Sequence, residues 1–291
     1  MAVQIITDSA ADLPKELIQE YSIDVMPLRV YLGEKEYIDG ETIQPLEVFQ
    51  NMREGTQYKT AQVPLQVFED IFSKYAEKGQ SCIYIAFSSE LSGTYQSSVM
   101  AKQQVLEEYP DFDIEVIDTK AASMGFGLIV KYAAQMAQKG KTKEEIVEAI
   151  HFFSNHMEHI FTVDNLEYLY RGGRVSRTAA FVGGILNIKP VLHVEDGKLI
   201  PLEKIRGRKK VIKRMVDIME ERGVDYSNQT IGISHGDDME AVEALMDQIK
   251  ERLGCKEFII TLVGSTIGSH SGPGTLALFF LNKEIPDRYK S

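Results

Sequence analysis

The six residues Cys82-Ile83-Tyr84-Ile85-Ala86-Phe87 constrain this chain more than any others. A strand with one wet face alternates apolar and polar side chains, and this run does not alternate at all. It is too short for a buried helix and rich in β-branched and aromatic residues, so it reads as a strand covered on both faces. Helical patterns flank it, one opened by Pro64 and running to about Lys78, the other spanning Ser92–Glu108. Val3–Thr7, Val25–Leu32 and Asp113–Ile117 read as further strands, with helices from Pro14 to about Tyr21 and over Ala122–Gln138. Strands separated by helices predict a mostly parallel sheet between two helical layers.

After the charged helix Lys143–Phe153 the pattern changes. Ile160–Val163, Ile188–Val194, Thr230–Ser234, Phe258–Val263 and Thr275–Leu281 read as strands, Gly207–Arg222 and Asp238–Leu253 as helices. Lys198–Ile205 can pair with Ile188–Val194 across the turn Glu195-Asp196-Gly197, and a hairpin of that kind implies a mixed sheet. We therefore expect two α/β domains, residues 1–157 with the mostly parallel three-layer sheet and 158–291 with a mixed sheet and helices. No Pro- or Ser-rich linker marks the join, so the domains should pack closely.

The 291 residues carry a formal net charge of −11. That balance argues against a nucleic-acid-binding surface, and any anion site must be built locally. Cys82 and Cys255 lie in apolar surroundings without CxxC or metal-type spacing, so they are expected as buried thiols. MAVQIITDSAADLP lacks the basic and apolar regions of a secretion signal, and no run approaches the roughly 20 apolar residues of a membrane span. The expectation is a cytoplasmic protein without an integral membrane segment.

Four stretches place hydroxyls and glycines at strand ends, where ligands of open α/β sheets bind. In Thr7-Asp8-Ser9-Ala10-Ala11-Asp12, Ser9 or Asp8 can cap a helix with Asp12 closing the box, or Ser9 can face a ligand. In Tyr58-Lys59-Thr60-Ala61-Gln62-Val63-Pro64, Thr60 can cap the helix begun at Pro64 or point at an anion. Ser88-Ser89-Glu90-Leu91-Ser92-Gly93-Thr94 follows the most apolar strand and leads into a long helix, whose free amides favour anions. It is no nucleophile elbow, because Glu90 and Thr94 occupy the positions where GxSxG requires glycine. In Ile267-Gly268-Ser269-His270-Ser271-Gly272-Pro273-Gly274, a tight loop is expected to present His270. No HxH or HxxxH pattern accompanies that histidine, and His151, His156 and His159 are expected at a solvated helix end. GxGxxG and GxxxxGK[ST] are both missing. From Lys204 to Arg214, seven of eleven residues are Lys or Arg, either a solvated face or a basic patch suited to an acidic partner or a phosphate.

Seven stretches in order resemble the DegV family of bacterial fatty-acid-binding proteins: TDSAADLP at Thr7–Pro14, KTAQV at Lys59–Val63, SSELSGTYQSS at Ser88–Ser98, RGGRVS at Arg171–Ser176, LNIKPVL at Leu186–Leu192, IRGRKK at Ile205–Lys210 and IGSHSGPG at Ile267–Gly274. The resemblance implies a long-chain fatty acid between two α/β domains, its carboxylate at the interface and its tail in an apolar tunnel. It implies a carrier without catalysis or cofactor of its own, which presents the fatty acid to a separate kinase for acyl-phosphate formation. Carried over from the family pattern, Thr60, Ser92 and His270 hold the carboxylate and Arg206 docks the kinase. Gly93, Thr94, Ser9 and Gly268 are further candidate ligand contacts. Ala61 and Val63 depart from the family's TSQP form while the threonine is kept. The small residues of Ala121–Gln138 and the rings of Phe161, Phe279 and Phe280 are candidate tunnel wall. The rival readings are a Ser-His esterase using Ser92 and His270, a nucleotide-dependent transferase, and a basic surface that binds membrane anions.

Overall fold

In the computed structural model, which describes residues 3–176 and 188–290, the apolar run forms the centre of a parallel sheet. Strand β6 (Cys82–Ala86) lies between β1 (Gln4–Asp8) and β7 (Ile114–Asp118), with β2 (Asp24–Met26) beyond β1, and every pairing is parallel. All five residues of β6 are fully buried. Helix α1 (Lys15–Glu20) follows β1, and helices α3 (Leu65–Glu77) and α4 (Thr94–Glu108) flank β6 in sequence, with the rings of Phe68 and Phe72 against Tyr84.

The expected strand Val25–Leu32 is divided. Its first residues end in β2, and after Pro27 the chain turns into β3 (Arg29–Leu32), which pairs antiparallel with β4 (Lys35–Ile38) and β5 (Lys59–Ala61) in a separate three-stranded sheet. Helix α2 (Pro45–Arg53) covers this small sheet through Val48 and Met52. A proline lacks the amide a central strand needs, which places the break at Pro27.

The second half forms the expected mixed sheet. Strands β8 (Met157–Thr162), β9 (Ile188–Glu195), β10 (Lys198–Arg206), β11 (Thr230–His235), β12 (Glu257–Leu262) and β13 (Leu276–Leu281) stand in the order β10-β9-β8-β13-β11-β12. Only β11 and β12 run parallel. The β9–β10 hairpin turns at Asp196 and Gly197, both at positive φ. Helices α8 (Arg208–Arg222) and α9 (Met239–Leu253) pack on one face through Val216, Met219, Val242 and Leu245; α7 (Leu166–Arg171) follows β8. Leu186 and Asn187 of the LNIKPVL stretch lie outside the described residues.

Between the two sheets runs α5 (Ser123–Gln138), followed by α6 (Lys143–His156). Fourteen of the sixteen residues of α5 are buried, because it packs on β1 and on β8, β11 and β13. Two glycines permit that approach. A Cβ on Gly127 would stand 2.4 Å from the Ala11 carbonyl, and one on Gly125 would stand 2.5 Å from His159 and 2.6 Å from Phe279. Glycine in a helix costs about 1 kcal/mol relative to alanine, a penalty that close packing on both faces offsets.

Candidate functional site

The parallel sheet runs outward in both directions from the β1–β6 pair, and ligands of open sheets bind at the carboxyl ends of strands beside such a switch point. There the structure holds a cavity of about 480 Å³, within the range of roughly 300–1,000 Å³ common for small-molecule sites. The loops after β6 and β7 supply Phe87, Leu91, Ser92 and Ala122; the second half supplies Phe161, Leu199, Ile267 and Phe279. The wall is mostly apolar, with polar groups gathered at particular points.

Two distant stretches meet at one such point. Thr60 sits on β5, opposite Val30 of β3. Its hydroxyl lies 2.6 Å from Nε2 of His270, and both residues line the cavity. Ser92 lines it too, in the loop before α4, where its Oγ lies 2.8 Å from the Thr94 hydroxyl and accepts the Thr94 amide at 3.2 Å. Thr94 is wholly buried behind Ser92 and also accepts the Val63 amide. Gly93 lines the cavity with the Gln62 side chain so close that a Cβ would stand 2.1 Å from Oε1. Thr60 therefore does not cap α3, which starts behind Pro64 without a side-chain cap.

His270 does not stand in a loop. It belongs to helix α10 (Ser265–Ser271), and the glycines of its stretch bound that helix: Gly264 precedes it and Gly272, at φ 79°, ends it. Two carboxylates from the first half hold its start. Asp12 accepts the Gly264 amide at 2.9 Å and Asp39 accepts the Ser265 amide at 3.1 Å. Burial pushes Asp12 well above the usual carboxylate range and raises Asp39. Asp8, buried at the end of β1, is raised to about 6 by burial although Tyr84, Phe87 and Ala10 all donate to it. Ser9 neither caps α1 nor lines the cavity; its hydroxyl donates to Asp39 and accepts the Leu28 amide. Gly268 does not line the cavity either, and seats α10 on the Phe49 ring, 2.9 Å from a built Cβ.

Two residues at the cavity carry no role in the sequence reading. Arg174, from RGGRVS, lines it while holding the Leu91 carbonyl with Nε at 3.0 Å and Nη2 at 2.8 Å. Burial, followed by the Arg174 charge, lowers the His270 pKa to about 4, so its imidazole is neutral at pH 7. The signal was the paired arginines around Gly172-Gly173. His159 is the second. It is buried, not solvated as expected, and its tautomer is set by its neighbours: Nε2 accepts the Ala122 amide at 3.2 Å and Nδ1 donates to the Met157 carbonyl at 3.0 Å. Burial lowers its pKa to about 4. Its position directly before the apolar pair Ile160-Phe161 was the available signal.

Phe161 and Phe279 line the cavity, whereas Phe280 points to the other side of its strand, into the core under α8 and α9. Of Ala121–Gln138 only Ala122 and Ser123 reach the wall, and the rest of α5 is packing. Arg206 is exposed at the end of β10, away from the cavity lining. The basic stretch is partly spent internally: Arg208 binds Asp238 and the Gly274 carbonyl, Lys213 pairs with Asp217, and Arg214 with Glu203 and Glu221. Lys204, Arg206, Lys209 and Lys210 make no ion pair among the described residues. Among those residues no group of His, Cys, Asp and Glu is placed to hold a metal ion, and no helix is long and apolar enough to cross a membrane.

A family model for uncharacterised proteins of the DegV family matches residues 2–283. The chain belongs to the DegV family. A DegV domain-containing protein of Clostridium perfringens is 45% identical over 280 residues, covering 95% of this chain and 96% of the relative. The structure of a DegV family protein from Thermus thermophilus, described for its fatty acid binding, superposes with a TM-score of 0.88 at 32% identity, covering 96% of this chain and 99% of that one. A stearic acid-binding protein from Eubacterium ventriosum superposes at 0.84 with 28% identity, covering 95% and 97%. The two packed α/β domains are thus the DegV fold, and the cavity of this DegV chain opens between the parallel and the mixed sheet, with β5 of the small sheet at its wall.

Proposed function

We propose that this DegV protein binds a long-chain fatty acid in the cavity, with the carboxylate at Thr60, Ser92 and His270 and the tail along Phe87, Leu91, Phe161 and Phe279. The contact between Thr60 and His270, 210 positions apart, on an apolar cavity that Ser92 also lines carries this reading. A carboxylate entering a partly dry site must be hydrogen-bonded or it costs several kcal/mol. Hydroxyls and a neutral imidazole supply donors, and the Arg174 guanidinium adds a favourable field. Each buried methylene contributes about 0.8 kcal/mol, so a long tail supplies most of the affinity.

The protein works as a carrier without a cofactor or catalysis of its own, in the cytoplasm, presenting its lipid to a separate fatty acid kinase that forms the acyl phosphate. Residues 1–157 and 158–291 are the two domains that close on the ligand, Arg206 being the docking residue within the unpaired cations Lys204, Lys209 and Lys210. The esterase reading is disfavoured by geometry. His270 meets Thr60, not Ser92, and among the described residues no carboxylate hydrogen-bonds its ring; its charged neighbour is the cation Arg174. An orienting acid is what makes such a histidine a base.

Mass spectrometry of the denatured, solvent-extracted protein is expected to find a fatty acid near one equivalent. A lipid-free extract, together with failure to bind added palmitate or oleate, overturns the proposal.

A further inference from the structure

We infer that this protein has a second, separate ligand site, for a small anion carried on a polar body, where α5 and β11 end farthest from the lipid cavity. A polar pocket of about 440 Å³ opens there, room for on the order of a dozen water volumes. Ser123 of α5 and Ser234 of β11 line the first cavity, whereas Lys131, Tyr132 and Thr230 of the same two elements line this one. The eight residue steps from Ser123 to Lys131 separate the two sites by about 12 Å of helix.

Three features point to a ligand. Lys131 is only 7% exposed, and its ammonium gives one hydrogen to the Thr230 hydroxyl at 3.0 Å and one to Glu257 at 3.1 Å. An ammonium has three, and the third finds no acceptor among the described residues. Tyr132 is 5% exposed, and its buried hydroxyl, beside Thr230, makes no hydrogen bond of good geometry. Gln135 Oε1 is likewise buried without a partner, although its amide reaches the Tyr21 hydroxyl. Buried polar atoms are nearly always hydrogen-bonded, so two without a partner beside an ammonium with a spare hydrogen mark a place where a bound molecule completes the bonding.

Donors set the class. The two cations of the lining are each paired, Lys131 with Glu257 and Lys290 with Asp287, and the Thr230 hydroxyl is committed to Glu257 at 2.8 Å. The spare donors, Lys131 and Tyr132, suit a phosphate or carboxylate oxygen. The carbonyl oxygen of Gln135 and the side chain of Asn228 suit hydroxyl or amino groups on the rest of the molecule. None of these residues belongs to the lipid site, so the second site stands or falls independently of fatty-acid binding.

The test is titration of the ¹⁵N-labelled full chain with inorganic phosphate and, separately, with acetate, reading the amides of Lys131, Thr230 and Glu257. Saturable shifts at about millimolar concentration are expected, as for ligands of a few atoms. Tyr132→Phe should weaken binding at least fivefold and Lys131→Met should abolish it. The tyrosine variant loses only an unpartnered oxygen and should fold at least as stably as the parent, so its result stands if the lysine variant fails to fold. A response to phosphate alone assigns a phosphorylated ligand, and to acetate alone a carboxylate. No saturable shift with either ion, shifts confined to Thr60 and His270, or binding unchanged in Tyr132→Phe would overturn the inference.

Discussion

The Thr60–His270 contact is the most informative pair of side chains in the molecule, because neither residue has a charge to contribute at neutral pH. Thr60→Val, Ser92→Ala and His270→Asn should each weaken retention of a fluorescent fatty acid. Hydrogen bonds to charged groups are worth about 1.5–3 kcal/mol, so each loss should be roughly 10- to 150-fold. Retention unchanged in all three would separate this cluster from the carboxylate. The same histidine shapes the acid response. Its folded pKa, about 4, lies below the unfolded value of 6.5, so its contribution to stability is fully present above pH 6.5 and is lost as pH falls toward 4. His159 acts in the same sense. Asp8, raised from 3.8 to about 6, acts in the opposite sense: its stabilising effect is complete below 3.8 and fades as pH rises through 6. Substituting His270 leaves His159 and Asp8 in place. Urea midpoints of His270→Asn should therefore fall less steeply than those of the parent between pH 6.5 and 4.

Among the elements, α10 is the one placed by contacts from outside itself. Its sequence, Ser265-Thr266-Ile267-Gly268-Ser269-His270-Ser271, is poor in helix formers, and read alone it looks like a loop. Packing of Gly268 on Phe49 and the bonds from Gly264 and Ser265 to Asp12 and Asp39 impose the helix, and those partners lie more than 200 residues away. Asp39→Ala should free the first turn and strand the Ser9 hydroxyl, costing about 1–3 kcal/mol. Hydrogen exchange at Ser265–His270 should rise more than in β6, whereas a uniform rise would mean the carboxylate has no local role. The same distinction decides what the sequence revealed. The apolar run of β6, the β9–β10 turn at Asp196-Gly197 and the amphipathic helices carry their own signals and stand within a few residues of expectation. The division of Val25–Leu32 depends on which sheet recruits each side of Pro27, and the burial of His159 depends on the arrival of α5. The resemblance singled out Thr60, Ser92 and His270, and all three line the cavity; Arg174 stood in a quoted motif, yet its place beside His270 follows only from the fold.

For the molecule as a whole, the proposed lipid site and the proposed docking site stand apart. The cavity lies between the sheets, while Arg206, Lys204, Lys209 and Lys210 stand on the outside of the second domain. Arg206→Ala should leave fatty-acid binding unchanged and reduce acyl-phosphate formation by the proposed kinase about tenfold, because loss of a charge at a docking interface slows encounter and weakens the complex. Equal loss of lipid and of phosphorylation would remove the docking role. Gly127→Ala tests the packing between the halves, since the added methyl meets the Ala11 carbonyl backbone at 2.4 Å. It should lower the melting temperature by several degrees, and no change would mean that α5 has slack against the first sheet.

The position of α5 also sets a timetable for synthesis. Met124 and Leu128 rest on Gly232, and Gly125 rests beside Phe279, so one side of this helix is covered by strands translated about a hundred or more residues later. At about 5–20 residues per second, the nascent first domain waits some 5–30 seconds with that apolar side open. During that interval the ribosome-bound half is the form of this protein most in need of a chaperone.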